Sequence, residues 1–507
     1  MAVIAVAAGV AAATIAPASA AAGASGRSAP PSTINWAACG THLECASVPV
    51  PLDWEHPAGR TITLSVIRHL ASHPDQRIGS LFVNPGGPGD SGVNAVANQG
   101  ETLDATTGGR FDVVGWDPRG SGGSAPVSCF ANSGEREAFW QGMPIPTTRQ
   151  DERRYLAKSV ELAHRCGARN GDLLAHISTA DTARDLDYLR GLVGDRRLTF
   201  LGESTGTLLG QTYANMFPRR VRAMALDGLE DPVTYTADTA TALASSLKDV
   251  DRLFHEFLAL CERAGPSRCA LAGDGPVEER VGDTLQQLRR HPIPAPSATP
   301  PGELTYGDAL TIIKLGALPA PVDWPLAAGL LEAVAQGDAS AAESLAAGYA
   351  AEPFHASIEQ NTALLCADSP ARQNARHWPQ AVHRLEKLSS IGGRVMGWLQ
   401  AACAAWPAHS AHRYTGPWDV TTANPILLIG TRFDPNTPLA NAQHVERRLG
   451  NAVLLTHNGY GHLSQADPSA CVTQALGNYL VNLTTPPRGT ICQPDHLPFD
   501  PNFGNQP

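Results

Sequence analysis

From about residue 60 onward, short apolar runs stop at turn residues and stretches of helical spacing lie between them. Ile62, Leu64 and Val66 alternate with polar neighbours, the period of a half-buried strand. Leu81-Phe82-Val83 is a continuous apolar run that ends at Asn84-Pro85-Gly86-Gly87. Residues 111–116 form another, ended by Asp117-Pro118-Arg119-Gly120. Ala183, Leu186, Leu189, Leu192 and Val193 then share one face of a helix over 181–193, with Thr179 as its candidate cap and Gly194 as its stop. A buried strand over 198–201, a helix over 207–217 ended by Pro218, and a strand over 221–226 follow. Strands alternating with helices predict an α/β fold, a mostly parallel sheet with helices on both faces.

The pattern changes near residue 235. Residues 240–404 are rich in Ala and Leu at helical spacing, which predicts a helical lid or cap inserted between two parts of the core, 34–239 and 405–507. The proline-dense stretch 291–303 inside it predicts a loop or extended linker. The strand–helix alternation resumes with strands over 426–430 and 452–456, each followed by a helix. At the other end, MAVIAVAAGVAAATIAPASA is an apolar run closing on the small-x-small triplet Ala18-Ser19-Ala20. It is short, Ala-rich and broken by Pro17, which favours a cleaved signal peptide over 1–20 rather than a membrane anchor. Residues 21–33 predict a disordered stub, and the mature chain is expected to be secreted, extracellular and free of the membrane.

Composition narrows the partners. The chain has 43% apolar and 17% charged residues and a net charge of −10, with no basic stripe, so nucleic acid and anionic membrane are not expected partners. The ten cysteines include no CxxC pair, which removes support for zinc or thioredoxin chemistry. With an export signal, disulfides are the better reading. Spacing suggests the local pairs Cys39–Cys45, Cys129–Cys166, Cys261–Cys269, Cys366–Cys403 and Cys471–Cys492; the two short loops rest on proximity and the rest stay open on spacing alone.

Gly202-Glu203-Ser204-Thr205-Gly206 fits G-x-S-x-G. The pentapeptide alone is weak, but a predicted strand enters it and a predicted helix leaves it, the setting of a nucleophile elbow. A serine hydroxyl needs a base to take its proton, and in this arrangement the acid and then the histidine follow in chain order. His462, on a loop after the strand over 452–456, is the candidate base, with His457 at the strand end as its rival. Asp434, just after the strand over 426–430, is the candidate acid; Asp227 also follows a strand and competes with it. An oxyanion hole needs two backbone N–H donors. Thr205, after the nucleophile, supplies one, and Gly87 in Asn84-Pro85-Gly86-Gly87-Pro88-Gly89 is the candidate for the other. That loop lacks the Lys-Ser/Thr of a phosphate-binding loop and the G-x-G-x-x-G spacing, which disfavours nucleotide binding.

With these pieces assembled, the chain resembles the secreted tripeptidyl aminopeptidases of Streptomyces and their relatives, serine exopeptidases akin to prolyl aminopeptidase. The resemblance rests on residues 84–89, the Gly115-Trp116-Asp117-Pro118-Arg119-Gly120 block, Thr182-Ala183-Arg184-Asp185-Leu186-Asp187, the nucleophile block 202–207, Asp434 with Thr437-Pro438, and Gly461-His462. It implies an α/β-hydrolase fold, release of short peptides (typically tripeptides) from a free N-terminus, and the disulfides Cys129–Cys166, Cys366–Cys403 and Cys471–Cys492. Two departures stand out. Glu203 and Thr205 occupy positions where the family usually has an aliphatic and an aromatic residue, and Leu463 follows His462 where a glycine is common.

Cutting only near an N-terminus requires a wall that limits depth and an acid that meets the ammonium group. The insertion can be the wall; Glu203 beside the nucleophile and Asp368 beside Cys366 are the candidate acids. The expected chemistry is acyl transfer through Ser204, His462 and Asp434, with no metal or cofactor, on a peptide substrate with a free N-terminus, in a monomer. The alternatives are an esterase or small-amide hydrolase with the same triad, and a catalytically inactive binding protein on the same scaffold.

Overall fold

The computed structural model describes residues 33–503 apart from 350, 352, 353, 373 and 411. The expected signal over 1–20 and all but the last residue of the 21–33 stub lie outside the described residues. In chain order the strands are β1 (Ala37–Gly40), β2 (Leu43–Pro51), β3 (Thr61–His69), β4 (Gly79–Asn84), β5 (Phe111–Trp116), β6 (Leu198–Glu203), β7 (Val221–Asp227), β8 (Ile293–Ala295), β9 (Gly302–Leu304), β10 (Ile426–Phe433), β11 (Ala452–Tyr460) and β12 (Ile491–Cys492). All but β8 and β9 join one ten-stranded sheet in the order β1-β2-β3-β5-β4-β6-β7-β10-β11-β12. The β1–β2–β3–β5 edge is antiparallel, and every pairing from β5 to β12 is parallel.

The apolar runs form strands because both faces of the sheet are covered. Leu81, Val83, Leu201, Leu427 and Ile429 face one layer, with the helices Gly92–Thr106 and Ala470–Asn482. Phe82, Phe200, Ile426 and Leu428 face the other, with the helices Thr179–Leu192, Gly206–Met216 and Leu439–Arg448. Burying each such side chain stabilises the fold by about 1.5–3 kcal/mol. The helix expected to be capped by Thr179 is capped one residue earlier: Ser178 Oγ accepts from the Asp181 N–H, and Thr179 is already helical.

The paired strands β7 and β10 are separated by a long helical segment, from Pro232–Tyr235 to the turn Ala401–Ala405. The proline-dense stretch expected to be a loop or extended linker is extended at both ends and forms the β8–β9 ribbon around its turn, with Ile293, Ala295 and Leu304 burying their side chains against the neighbouring helices. The five disulfides are Cys39–Cys45, Cys129–Cys166, Cys261–Cys269, Cys366–Cys403 and Cys471–Cys492. Closing the 37-residue loop of Cys366–Cys403 removes unfolded-chain entropy corresponding to about 4 kcal/mol. No helix among the described residues is long and apolar enough to cross a membrane.

Candidate active site

The chemistry-bearing residues stand on loops at the C-terminal ends of neighbouring parallel strands, where α/β sheets place ligands. Ser204 follows β6 directly and holds a left-handed backbone, φ 54°. The turn is so tight that a Cβ on Gly202 would lie 2.5 Å from the Gly206 carbonyl oxygen, and one on Gly206 would lie 2.4 Å from that of Asn84. Only glycine fits either place, and the strained turn lifts the serine hydroxyl above the sheet.

The structure brings Ser204, His462 and Asp434 into one hydrogen-bonded series. His462 Nε2 lies 2.9 Å from Ser204 Oγ, and its Nδ1 lies 2.9 and 3.0 Å from the two Asp434 carboxylate oxygens. A proton on Nδ1, donated to Asp434, leaves Nε2 free to accept the serine proton. Asp434 is fully buried and also accepts from the N–H groups of Asn436, Thr437 and Leu463 and from Thr437 Oγ1. Burial pushes its carboxyl up, but His462 and the Thr437 and Asn436 N–H groups outweigh that and hold it below the usual carboxylate range.

The rivals lie elsewhere. Asp227 accepts from the Ser464 N–H at 3.1 Å and the Ser464 hydroxyl at 2.5 Å, so its carboxylate anchors the loop after His462. His457 is fully buried against Thr431, and burial pulls its imidazole down to about 4. Leu463 has φ 73°, which explains why glycine is the common residue at that position.

Above Ser204 is a cavity of about 280 Å³. Its floor includes Gly87 and Thr205, whose N–H groups meet no acceptor among the described residues. Its roof comes from the helices between β7 and β10, through residues such as Leu243, Ile358, Asn361 and Leu399. The roof is tied to the floor. Asn361 donates to the Pro88 carbonyl, and the His462 N–H donates to the Pro319 carbonyl at 2.8 Å.

Neither acid expected to meet an ammonium group lines this cavity. Asp368 is buried behind it, with its carboxylate committed to the Thr179 N–H at 2.9 Å and the Thr179 hydroxyl at 2.6 Å. Glu203 ends β6 in register with Asp227, beneath the serine. Burial, then Asp227, pushes its carboxyl up to about 8. Two acids among the described residues do line the cavity: Asp90, whose carboxyl burial pushes up with His462 opposing, and Glu230, three residues beyond β7. The Glu230 carboxyl makes no hydrogen bond among the described residues, and burial, then Asp434 and Asp231, pushes it up to about 8.

Comparison with known proteins agrees with this architecture. A family described as "alpha/beta hydrolase fold" matches residues 79–312, and one described as "TAP-like protein" matches 389–492. The chain is 32% identical over 466 residues to "Serine protease Hip1" of Mycobacterium tuberculosis, covering 88% of this chain and 87% of that one. It is 29% identical over 490 residues to "Tripeptidyl aminopeptidase" of Streptomyces lividans, covering 92% and 87%. It is also 31% identical over 467 residues to "Carboxylesterase B" of Mycobacterium tuberculosis, covering 89% and 86%. The chain belongs to the Streptomyces-type tripeptidyl aminopeptidase family. It is an enzyme, a serine hydrolase on the α/β-hydrolase fold.

The family blocks quoted from the sequence contain neither Glu230 nor Lys314, and both line the cavity. Strand-end placement, the argument applied to Asp227, would also have reached Glu230 three residues on. Lys314 carried a different signal. It is one of four lysines in the chain and sits inside the apolar run Ile312-Ile313-Lys314-Leu315.

Proposed function

We propose that the protein is an exported serine exopeptidase that releases short peptides from free N-termini. The observation that carries this is the unpaired Glu230 carboxyl inside a roofed cavity that also holds Ser204. With the cavity empty, burial keeps Glu230 protonated near neutral pH. An arriving ammonium group supplies the missing charge partner, and the carboxyl ionises against it. The roof limits how much chain fits between that anchor and Ser204, which favours short products. The five disulfides suit an oxidising compartment.

In this reading His462 takes the Ser204 proton as the hydroxyl oxygen attacks the scissile carbonyl. The Thr205 and Gly87 N–H groups hold the oxyanion, and Asp434 stabilises the imidazolium. His462 then gives its proton to the departing amine. Water, deprotonated by His462, releases the peptide from the serine ester.

The test is mass spectrometry of products from a peptide library offered with free and acetylated N-termini, with Ser204→Ala as the blank. The expected products are short N-terminal fragments, with acetylated peptides cut at least about tenfold more slowly, the size of one charge-assisted hydrogen bond. Equal cutting of free and acetylated peptides would overturn the exopeptidase reading. The Carboxylesterase B relative favours a second reading, an esterase; turnover of short acyl esters with no peptide cleavage would select it.

A further inference from the structure

A buried ammonium group with no carboxylate partner is costly, and one shares the cavity with Ser204. Lys314 is 2% exposed, and among the described residues its Nζ donates only to the Asn436 side-chain oxygen. No carboxylate pairs with it among the described residues. Burial pulls the ammonium down to about 8, with Asp434 opposing, so it is still charged near neutral pH. Taking such a charge out of water without a counter-ion costs several kcal/mol.

The backbone around Lys314 is also unusual. Residues Ile312–Ala317 form a π-helical turn directly after the helix Tyr306–Thr311. Such turns are rare and occur frequently at functional sites. Here the turn delivers the only lysine that lines the cavity among the described residues. Glu230 lines the same cavity. A carboxyl and an ammonium group in one cavity, with no hydrogen bond or ion pair between them among the described residues, match a ligand that carries both charges.

We infer that Lys314 reads a carboxylate on the bound peptide, so that the enzyme prefers an Asp or Glu side chain within the segment it releases. This rests on the exopeptidase reading, which puts the N-terminal ammonium at Glu230 and the released segment between Glu230 and Ser204. The acidic side chain and Lys314 then complete each other's charge as Glu230 and the ammonium do. A free C-terminal carboxylate has the same chemistry, and the experiment separates it from the side chain.

The experiment compares kcat/KM at pH 7 for matched tripeptidyl fluorogenic amides that carry Glu or Gln at each position in turn. These amides have no C-terminal carboxylate. A second arm compares a neutral short peptide as its free acid and as its C-terminal amide. Wild-type enzyme is expected to prefer Glu over Gln at one position by about tenfold or more, the value of a hydrogen bond between charged groups. In Lys314→Gln that ratio collapses toward one, whatever happens to the absolute rates, and in Lys314→Arg it survives.

A wild-type ratio near one at every position would overturn the inference. So would a ratio unchanged in Lys314→Gln, which would make the lysine a tie to Asn436 and nothing more. Lys314-dependence confined to the free-acid arm would overturn it too. Repeating the series on acetylated peptides keeps the two readings apart. If acetylated peptides are cut as fast as free ones, the exopeptidase reading fails while the Glu/Gln ratio still judges Lys314.

Discussion

Ser204, Asp434 and His462 stand on strand-end loops of one sheet, whereas Lys314 and Asn361 reach the same cavity from helices inserted between β7 and β10. The two regions obtain their geometry differently. On the sheet, parallel register fixes which loops are neighbours, and Ser204, His462 and Asp434 fall within hydrogen-bond reach of one another in series. On the helical side, position depends on packing and on a few ties to the loops below, such as Asn361 to Pro88 and Pro319 to His462. In the proposed mechanism bond-making chemistry therefore sits on the sheet, and substrate choice is shared between Glu230 on a strand-end loop and Lys314 on the inserted helices.

If that division is right, the largest effect comes from the sheet side. Asp434→Asn keeps the packing but leaves His462 without the acceptor that sets its tautomer. The expected loss is about 10⁴-fold in kcat with little change in KM. Steady-state kinetics on any cleavable substrate checks it, with thermal unfolding as a control for folding. Activity within tenfold of wild type would remove Asp434 from the mechanism and break the comparison at its base.

The next effect separates buried charge that reacts from buried charge that only holds. Arg119 is fully buried and makes a two-pronged pair with Asp185 at 2.7 and 2.6 Å, and its remaining N–H groups go to the carbonyls of Leu52, Pro51 and His176. Removing one partner of such a pair costs about 3–5 kcal/mol, because the other is left charged and unpaired. Arg119→Ala should therefore lower the urea midpoint sharply. The fraction that remains folded should keep wild-type kcat, since the pair lies away from the cavity. A drop in kcat with unchanged stability would show the opposite division of labour.

These cases also show what could be read from the chain. The sheet was legible because each strand is a short apolar run with a turn residue after it, and because strand-end loops are where α/β sheets hold chemistry. Ser204, Asp434 and His462 each follow such a run. Arg119 and Asp185 were visible as family blocks, but nothing local says that a Pro-Arg-Gly turn and a helix 66 residues on share an ion pair. The inserted helices were legible as helices and not as a surface. Helical spacing marks the side that packs, yet Lys314 reaches the cavity through a π-helical turn that shifts the face by one residue. Asp368 looked available because it sits beside Cys366; only the fold shows that Thr179 takes both its oxygens.

The junction between the regions should give an intermediate effect. Gly461 has φ 87°, and a Cβ there would lie 2.5 Å from Pro321 Cδ and 2.8 Å from the Pro319 carbonyl oxygen. Gly461→Ala must push the inserted segment away from the loop that carries His462. A displacement near 1 Å at the base is worth about 10²-fold in kcat. Pre-steady-state labelling of Ser204 by a fluorophosphonate should slow in parallel. Unchanged kcat would mean that the inserted segment does not hold the histidine loop, and the two regions would be more independent than their contacts suggest.

The smallest effect concerns Glu203, which lies under the serine on the sheet side but takes no place in the cavity. Burial first, and Asp227 second, push its carboxyl up to about 8, whereas an unfolded glutamate titrates near 4.5. Between those values the folded chain keeps a proton that the unfolded chain has released. Raising the pH through that window therefore favours unfolding. Glu203→Gln has no proton to lose, so its Tm should exceed that of wild type by more at pH 8 than at pH 5, by a few degrees. Scanning calorimetry across that range reads the difference directly. A constant offset would mean that the folded state holds Glu203 ionised, and its carboxylate would then act on Ser204 through charge as well as through position.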